Sequence, residues 1–363
     1  MKALVTSENE KCSVEEVTLD PPKAGELKVK MAATGVCRSD LSVINGGLPL
    51  PKPIVLGHEG AGVVTGLGEG VTGFSVGDHV VLSFNPACGH CFFCENKLPQ
   101  FCDVAEMNGM MIDGTARVHR QDGSDLGVMT FLGCMAEEAV IPAISAQTID
   151  PAIPLDKAAL VGCGVMTGVG AAINTARVAP GSSVAVFATG GIGLSIIQGC
   201  RIAGARQIIA VDLADNKLEM ARHFGATHTV NGGSEDAVAK CKELTGGYGP
   251  DYTFEAAGVP ELMAASYAAA RRGGTVTIVG VGKLTDTVPF SALLLSLDGK
   301  TVKGCYYGDT NFRHDFPMLL DLYQNGKLNL DDMVTTTYSI DDAPRAFEDM
   351  EAGKNARGVI LYD

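Results

Sequence analysis

Ser183-Val-Ala-Val-Phe-Ala-Thr-Gly-Gly-Ile-Gly193 decides how this chain is read. Ser183–Phe187 is a short apolar run with two valines, of strand type. The turn Ala188-Thr-Gly-Gly-Ile-Gly193 follows, and Leu194–Ala203 after it has helical character. A turn of small residues between a strand and a helix lets the backbone approach a pyrophosphate, whose charge then sits at the helix N-terminus. The candidate contacts are Gly190, Gly191, Ile192 and Gly193. The turn departs from G-x-G-x-x-G at its first position, Ala188, and a plain strand–helix turn can use the same residues. Asp212 weighs for the ligand. It closes the next strand, Gln207–Val211, where its carboxylate can accept hydrogen bonds from an adenosine ribose. The same charge repels a 2′-phosphate, and Leu213 beside it offers no arginine to bind one. The reading is NAD rather than NADP.

Outward from this turn the alternation continues. Asn216–Phe224 reads as a helix, and Asp251–Ala256 and Thr275–Val279 read as strands. Strand and helix alternating at this pace imply an α/β unit, a parallel sheet with helices on both faces. Residues 1–160 differ. They are rich in glycine, proline and short β-branched runs, such as Leu27–Ala32 and Gly60–Leu67, with little helical periodicity. From Lys303 short mixed elements return, ending in the strand-like Gly358–Tyr362. The expected organisation is discontinuous: residues 1–164 and 305–363 form a β-rich domain, and 165–304 are inserted into it.

The bulk numbers agree with two domains. The chain has 363 residues, 46% hydrophobic and 19% charged, which suits globular cores and not disorder. A net charge of −14 disfavours nucleic acid and anionic membranes as partners. No apolar run reaches transmembrane length, and the start, MKALVTSENEKCSVEE, lacks the apolar stretch of a signal peptide. A cytoplasmic protein is expected. The 11 cysteines then suggest metal ligands and buried thiols rather than disulfides.

Four of them crowd into the run CGHCFFCENKLPQFC: Cys88, Cys91, Cys94 and Cys102. Two residues between thiols turn both sulfurs into one small loop. Four thiolates can close a tetrahedral shell around Zn²⁺ with no position left for water, which makes the site structural. A second set, Cys37, His58 and Cys163, is scattered. Two thiolates and one imidazole leave a fourth position open for water or substrate. Zinc there would act as a Lewis acid on an alcohol and bring its pKa toward neutrality. Taken singly, each has an ordinary reading, a core cysteine or a satisfied loop histidine, and spacing alone cannot join them. Cys12, Cys134, Cys200, Cys241 and Cys305 are read as inert thiols.

CRSD at 37–40, GHEGAGVV at 57–64, the four-cysteine run, GCGVMTG at 162–168 and the ATGGIG turn stand in this order. In that order they resemble the zinc-dependent medium-chain alcohol dehydrogenases, over nearly the whole chain. The resemblance implies a split GroES-like catalytic domain with an inserted Rossmann domain, two zinc ions per chain, and a homodimer or homotetramer. It implies that Cys37, His58 and Cys163 bind catalytic zinc, with Glu59 close behind the metal and Asp40 orienting His58. Ser39 would take the hydroxyl proton of the substrate. Arg38 and Arg357 would pair with the pyrophosphate, Thr167 and Val279 would flank the nicotinamide, and Lys217 would lie at the adenosine ribose. Some members carry a histidine three residues after the relay serine or threonine; here that position is Ser42.

The candidate pocket lining is apolar: Leu48, Phe84, Met110, Met111, Phe131 and Leu132, each of which core packing would equally explain. Phe84 matches an aromatic that lines the pocket in the family. The expected substrates are medium-chain, terpenoid or aromatic primary alcohols and their aldehydes. A thiol-adduct formaldehyde dehydrogenase is the alternative, because glutathione-linked members also resemble this chain, including a long segment around Asn108–Thr130. Against it, LSVINGGLPLPKP after Asp40 has no acidic residue to hold a glutathione amine. A non-catalytic NAD(H)-binding protein would show loss of the open zinc set, which is intact. A dehydrogenase whose NADH stays bound and is reoxidised in place would carry the same motifs.

Overall fold

The computed structural model describes residues 1–7, 11–105 and 108–363. The chain divides into two units: Met1–Cys163 with Asn311–Gly326 and Leu330–Asp363, and Gly164–Thr310 with Lys327–Asn329.

The first unit is β-rich. Lys2–Thr6, Cys12–Leu19, Val118–Arg120, Asp125–Val128 and Ile54–Val55 close into a small barrel, filled by Ala3, Val5, Val17, Met111 and Leu126. Beside it runs a seven-stranded sheet. Its order is Ala146–Thr148, His79–Leu82, Gly60–Leu67, Glu26–Gly35, Arg357–Leu361 and Val334–Tyr338, with Glu138–Pro142 also pairing with Glu26–Gly35. The C-terminal strand is thus built into the sheet of the N-terminal segment, as a discontinuous domain requires. Two helices, Arg38–Ile44 and Ala343–Glu351, bury Leu41, Val43, Ile44, Ala346 and Phe347 in one core cluster. The sequence shows little helical character here, because Arg38–Ile44 is too short to display a period.

His119 bridges two carboxylates at the rim of the barrel, with Nε2 3.0 Å from Asp20 Oδ2 and Nδ1 2.8 Å from Asp125 Oδ1. The bond to Asp20 does most to raise its pKa, against a smaller opposing effect of burial. A raised folded pKa stabilises fully below the unfolded value and is lost as pH rises through the folded one. Melting temperature followed from about pH 5 to 9 should therefore contain a falling component that His119→Asn removes. An identical profile in the variant would show that these contacts contribute nothing.

The second unit is a six-stranded, wholly parallel sheet. Its order is His228–Asn231, Gln207–Asp212, Ser183–Phe187, Tyr252–Glu255, Thr275–Ile278 and Thr301–Gly304. Read within the unit, that is 3-2-1-4-5-6, the doubly wound order whose first strand–helix turn takes a dinucleotide. Ser183–Phe187 is the first strand and Gly191–Ile202 its helix. The helices Ala237–Leu244 and Pro260–Ala269 complete the layers. Residues 305–310, grouped with the first domain on sequence, belong to this unit. Gly308 lies against Gly170, and its carbonyl accepts from Asn174 Nδ2 at 3.1 Å. Among the described residues no single helix is long and apolar enough to cross a membrane.

Candidate active site

Cys37 is the N-cap of Arg38–Ile44, at the positive end of the helix, which favours a thiolate. The same helix carries Asp40, fully buried. Asp40 Oδ1 accepts from the backbone N–H of Gly57 at 2.9 Å, and Oδ2 lies 3.2 Å from His58 Nδ1. Gly57 is required twice over. Its φ is 99°, and a Cβ there would meet Met135 N at 2.3 Å. This tight passage presents His58 to the helix.

Cys37, His58 and Cys163 are all buried, and one ligand atom from each lies within 4.8 Å of the others. Nδ1 of His58 faces Asp40, while Nε2 is buried without a hydrogen-bond partner. A buried, unpartnered imidazole nitrogen beside two sulfurs is the donor set of a borderline-soft cation. The electrostatics agree. A hydrogen bond from Cys163 holds the Cys37 thiol well below its ordinary range, burial opposes this, and His58 and Arg357 assist. Burial would lower the pKa of His58, but Asp40 and Cys37 outweigh it and push it up to about 10. Two sulfurs and an imidazole nitrogen brought together in this way could hold a zinc ion.

Cys88, Cys91, Cys94 and Cys102 likewise bring four sulfurs within 4.8 Å of one another. Backbone N–H groups support them: Cys88 donates to Cys102 Sγ at 3.3 Å and Cys94 to Cys91 Sγ at 3.5 Å. The thiols resist ionising together. Bonds from Asp103 and Cys94 bring Cys91 down to about 6, while burial pushes Cys102 up to about 12. Four thiolates at this range could be held together only around a cation, which the closed set of sulfurs would enclose. The remaining five cysteines are free; Cys134, Cys200 and Cys241 are buried and Cys12 and Cys305 half-buried, and burial raises the pKa of every one.

Ser39 is half-buried, its Oγ 3.8 Å from Cys37 Sγ. Ser42 donates its hydroxyl to Arg38 O at 3.0 Å, so its proton is committed to its own helix. Arg38 is exposed on the first turn. Arg357 and Glu59 are both buried and form an ion pair through Arg357 Nη2. The resemblance gave them separate tasks; the structure joins them, with Glu59 the residue after His58.

Of the apolar candidates, Phe84 stands at the metal set, its ring edge-to-face on His58 with centroids 5.7 Å apart. Leu48 packs against the core under Arg38–Ile44. Met110 is half-buried beside Asn108, and Phe131 is buried. Met111 and Leu132 are corrections. Met111 fills the barrel and Leu132 the core under the large sheet, where each packs among the inward-facing residues of the neighbouring strands.

In the second unit Gly190 is the N-cap of Gly191–Ile202, with open space around it. Gly193 has none: a Cβ would lie 2.0 Å from Ala188 O, so this glycine is needed for the helix to approach the strand. Ala188 adopts φ 71°, a left-handed conformation that costs a non-glycine residue about 1–3 kcal/mol. Asp212 fastens the turn. Its Oδ2 accepts from Thr189 N at 2.7 Å and Thr189 Oγ1 at 3.0 Å, and its Oδ1 from Leu213 N at 2.8 Å. The sequence motif did not single out Thr189 as the partner of Asp212, although its place one residue after Ala188 was the available signal. Lys217 is half-buried and its carbonyl accepts from Thr189 Oγ1 at 3.4 Å. Thr167 and Val279 are both buried.

Comparison with known proteins decides the family. Residues 23–150 match the alcohol dehydrogenase GroES-like domain and residues 191–325 the zinc-binding dehydrogenase domain. Alcohol dehydrogenase B of Mycobacterium tuberculosis is 40% identical over 367 residues, covering 99% of this chain and 97% of that protein. The chain belongs to the zinc-dependent medium-chain dehydrogenase/reductase family. Two further members extend the comparison. The NDMA-dependent alcohol dehydrogenase of Amycolatopsis methanolica is 40% identical over 365 residues, 99% of this chain and 98% of that one. The structure of benzyl alcohol dehydrogenase from Acinetobacter calcoaceticus superposes with a TM-score of 0.94 at 32% identity, covering 100% and 99%. Within this family the chain is a zinc-dependent alcohol oxidoreductase that uses a nicotinamide cofactor.

Proposed function

We propose that the enzyme interconverts primary alcohols and aldehydes of medium-chain, terpenoid or aromatic type, with NAD(H) and two zinc ions per chain. The observation that carries this is the buried Cys37/His58/Cys163 set with the Phe84 ring against it. Zinc held there supplies a Lewis acid that lets an alcohol ionise near neutral pH. Asp40 orients His58 and balances its charge. Ser39 takes the hydroxyl proton and passes it to water, Ser42 being committed to the backbone. Phe84 offers an apolar surface to the organic group of the substrate. Benzyl alcohol dehydrogenase as a structural neighbour supports the aromatic choice. A panel of aromatic, terpenoid and aliphatic alcohols, assayed with NAD, tests the proposal; no turnover on any primary alcohol would overturn it. Formaldehyde assayed with and without thiols separates the thiol-adduct alternative.

A relative named as NDMA-dependent favours a second reading, in which turnover needs NDMA rather than exchange of free NAD. The same panel run with NDMA decides between them.

For the cofactor, Asp212 supports NAD, and the Gly190–Gly193 turn at the start of a 12-residue helix suits the pyrophosphate. Asp212→Gly should narrow the NAD preference roughly 10- to 100-fold, the scale of hydrogen bonds to a charged group. Because Asp212 also anchors Thr189, the melting temperature should fall with it. Equal wild-type efficiency with NAD and NADP would reject the assignment.

For the second metal, the four-cysteine set closes a lobe with little core of its own: Phe92 and Phe101 on it are exposed. Cys94→Ser should remove one of two zinc ions and lower the melting temperature by several degrees, about 2–4 °C per kcal/mol lost. An unchanged melting temperature would remove the structural role.

A homo-oligomer is supported by the strand Thr301–Gly304, which ends the sheet, and by Ala292–Leu297, a helix with no buried residue that exposes Leu293, Leu294, Leu295 and Leu297. Eleven thiols without a disulfide suit the cytoplasm.

A further inference from the structure

The strands Val334–Tyr338 and Arg357–Leu361 run parallel, and their register breaks at one point. Val334 pairs with Arg357 and Thr336 with Gly358, which leaves Thr335 as an extra, bulged residue opposite Arg357. Bulges next to a reaction centre re-aim a side chain. Thr335 ties the neighbouring backbone with both of its hydrogen-bonding capacities. Its hydroxyl donates to Arg357 O at 3.2 Å and accepts from Ala356 N at 3.1 Å.

Tyr338 grips the same segment from the other side. Its ring lies against Gly358, where a Cβ would come within 3.0 Å of Cε2. Its hydroxyl donates to Asp349 Oδ2 at 2.9 Å and accepts from Asn355 Nδ2 at 2.7 Å. Asn355 Oδ1 in turn accepts from Thr336 Oγ1 at 2.8 Å, and Asp349 Oδ1 from Lys354 Nζ at 2.6 Å. Residues 354, 355, 356, 357 and 358 are therefore each held by a side chain of the strand or helix beside them. At the centre of this grip, buried, is Arg357, whose guanidinium ends on Glu59, the residue after His58.

We propose that Thr335, Tyr338 and Asn355 are positioning residues for catalysis, acting through the Arg357–Glu59 pair on the Cys37/His58/Cys163 site. The proposal rests on the reading of that set as the catalytic zinc site. Neither Thr335 nor Tyr338 touches substrate. Each fixes the backbone from which Arg357 reaches Glu59. If Arg357 drifts, the buried Glu59 carboxylate loses its guanidinium in the residue next to His58, and the field around the set changes.

Tyr338→Phe keeps the ring on Gly358 and deletes only the hydroxyl; Thr335→Val deletes only the other pair of bonds. Each should lower kcat about 10-fold with KM little changed, the low end for partners behind a metal ligand. In cobalt-substituted protein, each should also shift the absorption bands of the open site, read as a difference from wild type in which the four-cysteine site cancels. In an Arg357→Lys background, which keeps the charge and loses the fork, neither should have a further effect. Tyr323→Phe, which removes a surface hydroxyl bonded to Asp331 in the same unit, is the control and should leave all three readouts unchanged. Wild-type kcat and an unshifted cobalt spectrum in Tyr338→Phe and Thr335→Val, even with a lower melting temperature, would overturn the proposal. Effects that simply add to that of Arg357→Lys would overturn it too. A wild type that shows no cobalt bands from the open site would instead overturn the metal reading beneath it.

Discussion

Cys163→Ala should leave a folded protein that has lost the zinc ion proposed for the open set and essentially all alcohol oxidation. Cys163 closes the set that Cys37 and His58 begin, from the end of the first unit. Its removal leaves only the buried Cys37 and His58 as donors, too few to hold zinc firmly. Lewis-acid stabilisation of a developing alkoxide amounts to several kcal/mol, so the fall in turnover should be about 10⁴-fold or more. Melting temperature should change little, because the side chain removed is small and the four-cysteine site lies elsewhere in the unit. Zinc analysis and turnover on benzyl alcohol check this together. Full zinc content with near-normal turnover would exclude Cys163 as a ligand.

Ser39→Ala should spare the metal and damage the chemistry. The hydroxyl sits half-buried beside Cys37, one residue from Asp40, on a helix that the Gly57 turn and the core cluster hold in place. General acid–base contributions of about 10²- to 10⁴-fold set the expected loss in kcat. Zinc content and cofactor affinity should be unchanged, which distinguishes this variant from Cys163→Ala. Turnover near the wild-type value on every alcohol accepted would make Ser39 an ordinary helix hydroxyl.

The parts of this site that lie in unbroken motifs are legible in the amino-acid sequence itself. The strand, turn and helix from Ser183 to Ile202, and the four-cysteine run, are local, and their chemistry follows from adjacent residues. The open zinc set spans Cys37 to Cys163, so only the resemblance joined it. The Arg357–Glu59 pair was out of reach, because no local pattern links residues 298 apart. Met111 and Leu132 were misplaced for a different reason. An apolar side chain looks the same in sequence whether it lines a pocket or fills a core, and only the barrel's closure and the sheet's inner face separate the two. Thr335 carries no signal of its own, since a bulge is a property of two strands and not of one residue.

The central claim is that hydride passes between an alcohol carbon and the nicotinamide at a zinc-dependent site. It is tested most directly with benzyl alcohol deuterated at the carbinol carbon. After turnover the protein is unfolded and the nicotinamide, free or retained, is recovered and weighed by mass spectrometry. The account predicts one deuterium in the reduced cofactor from the wild type and none from Cys163→Ala. Benzaldehyde formed by the wild type without deuterium in the nicotinamide would contradict it.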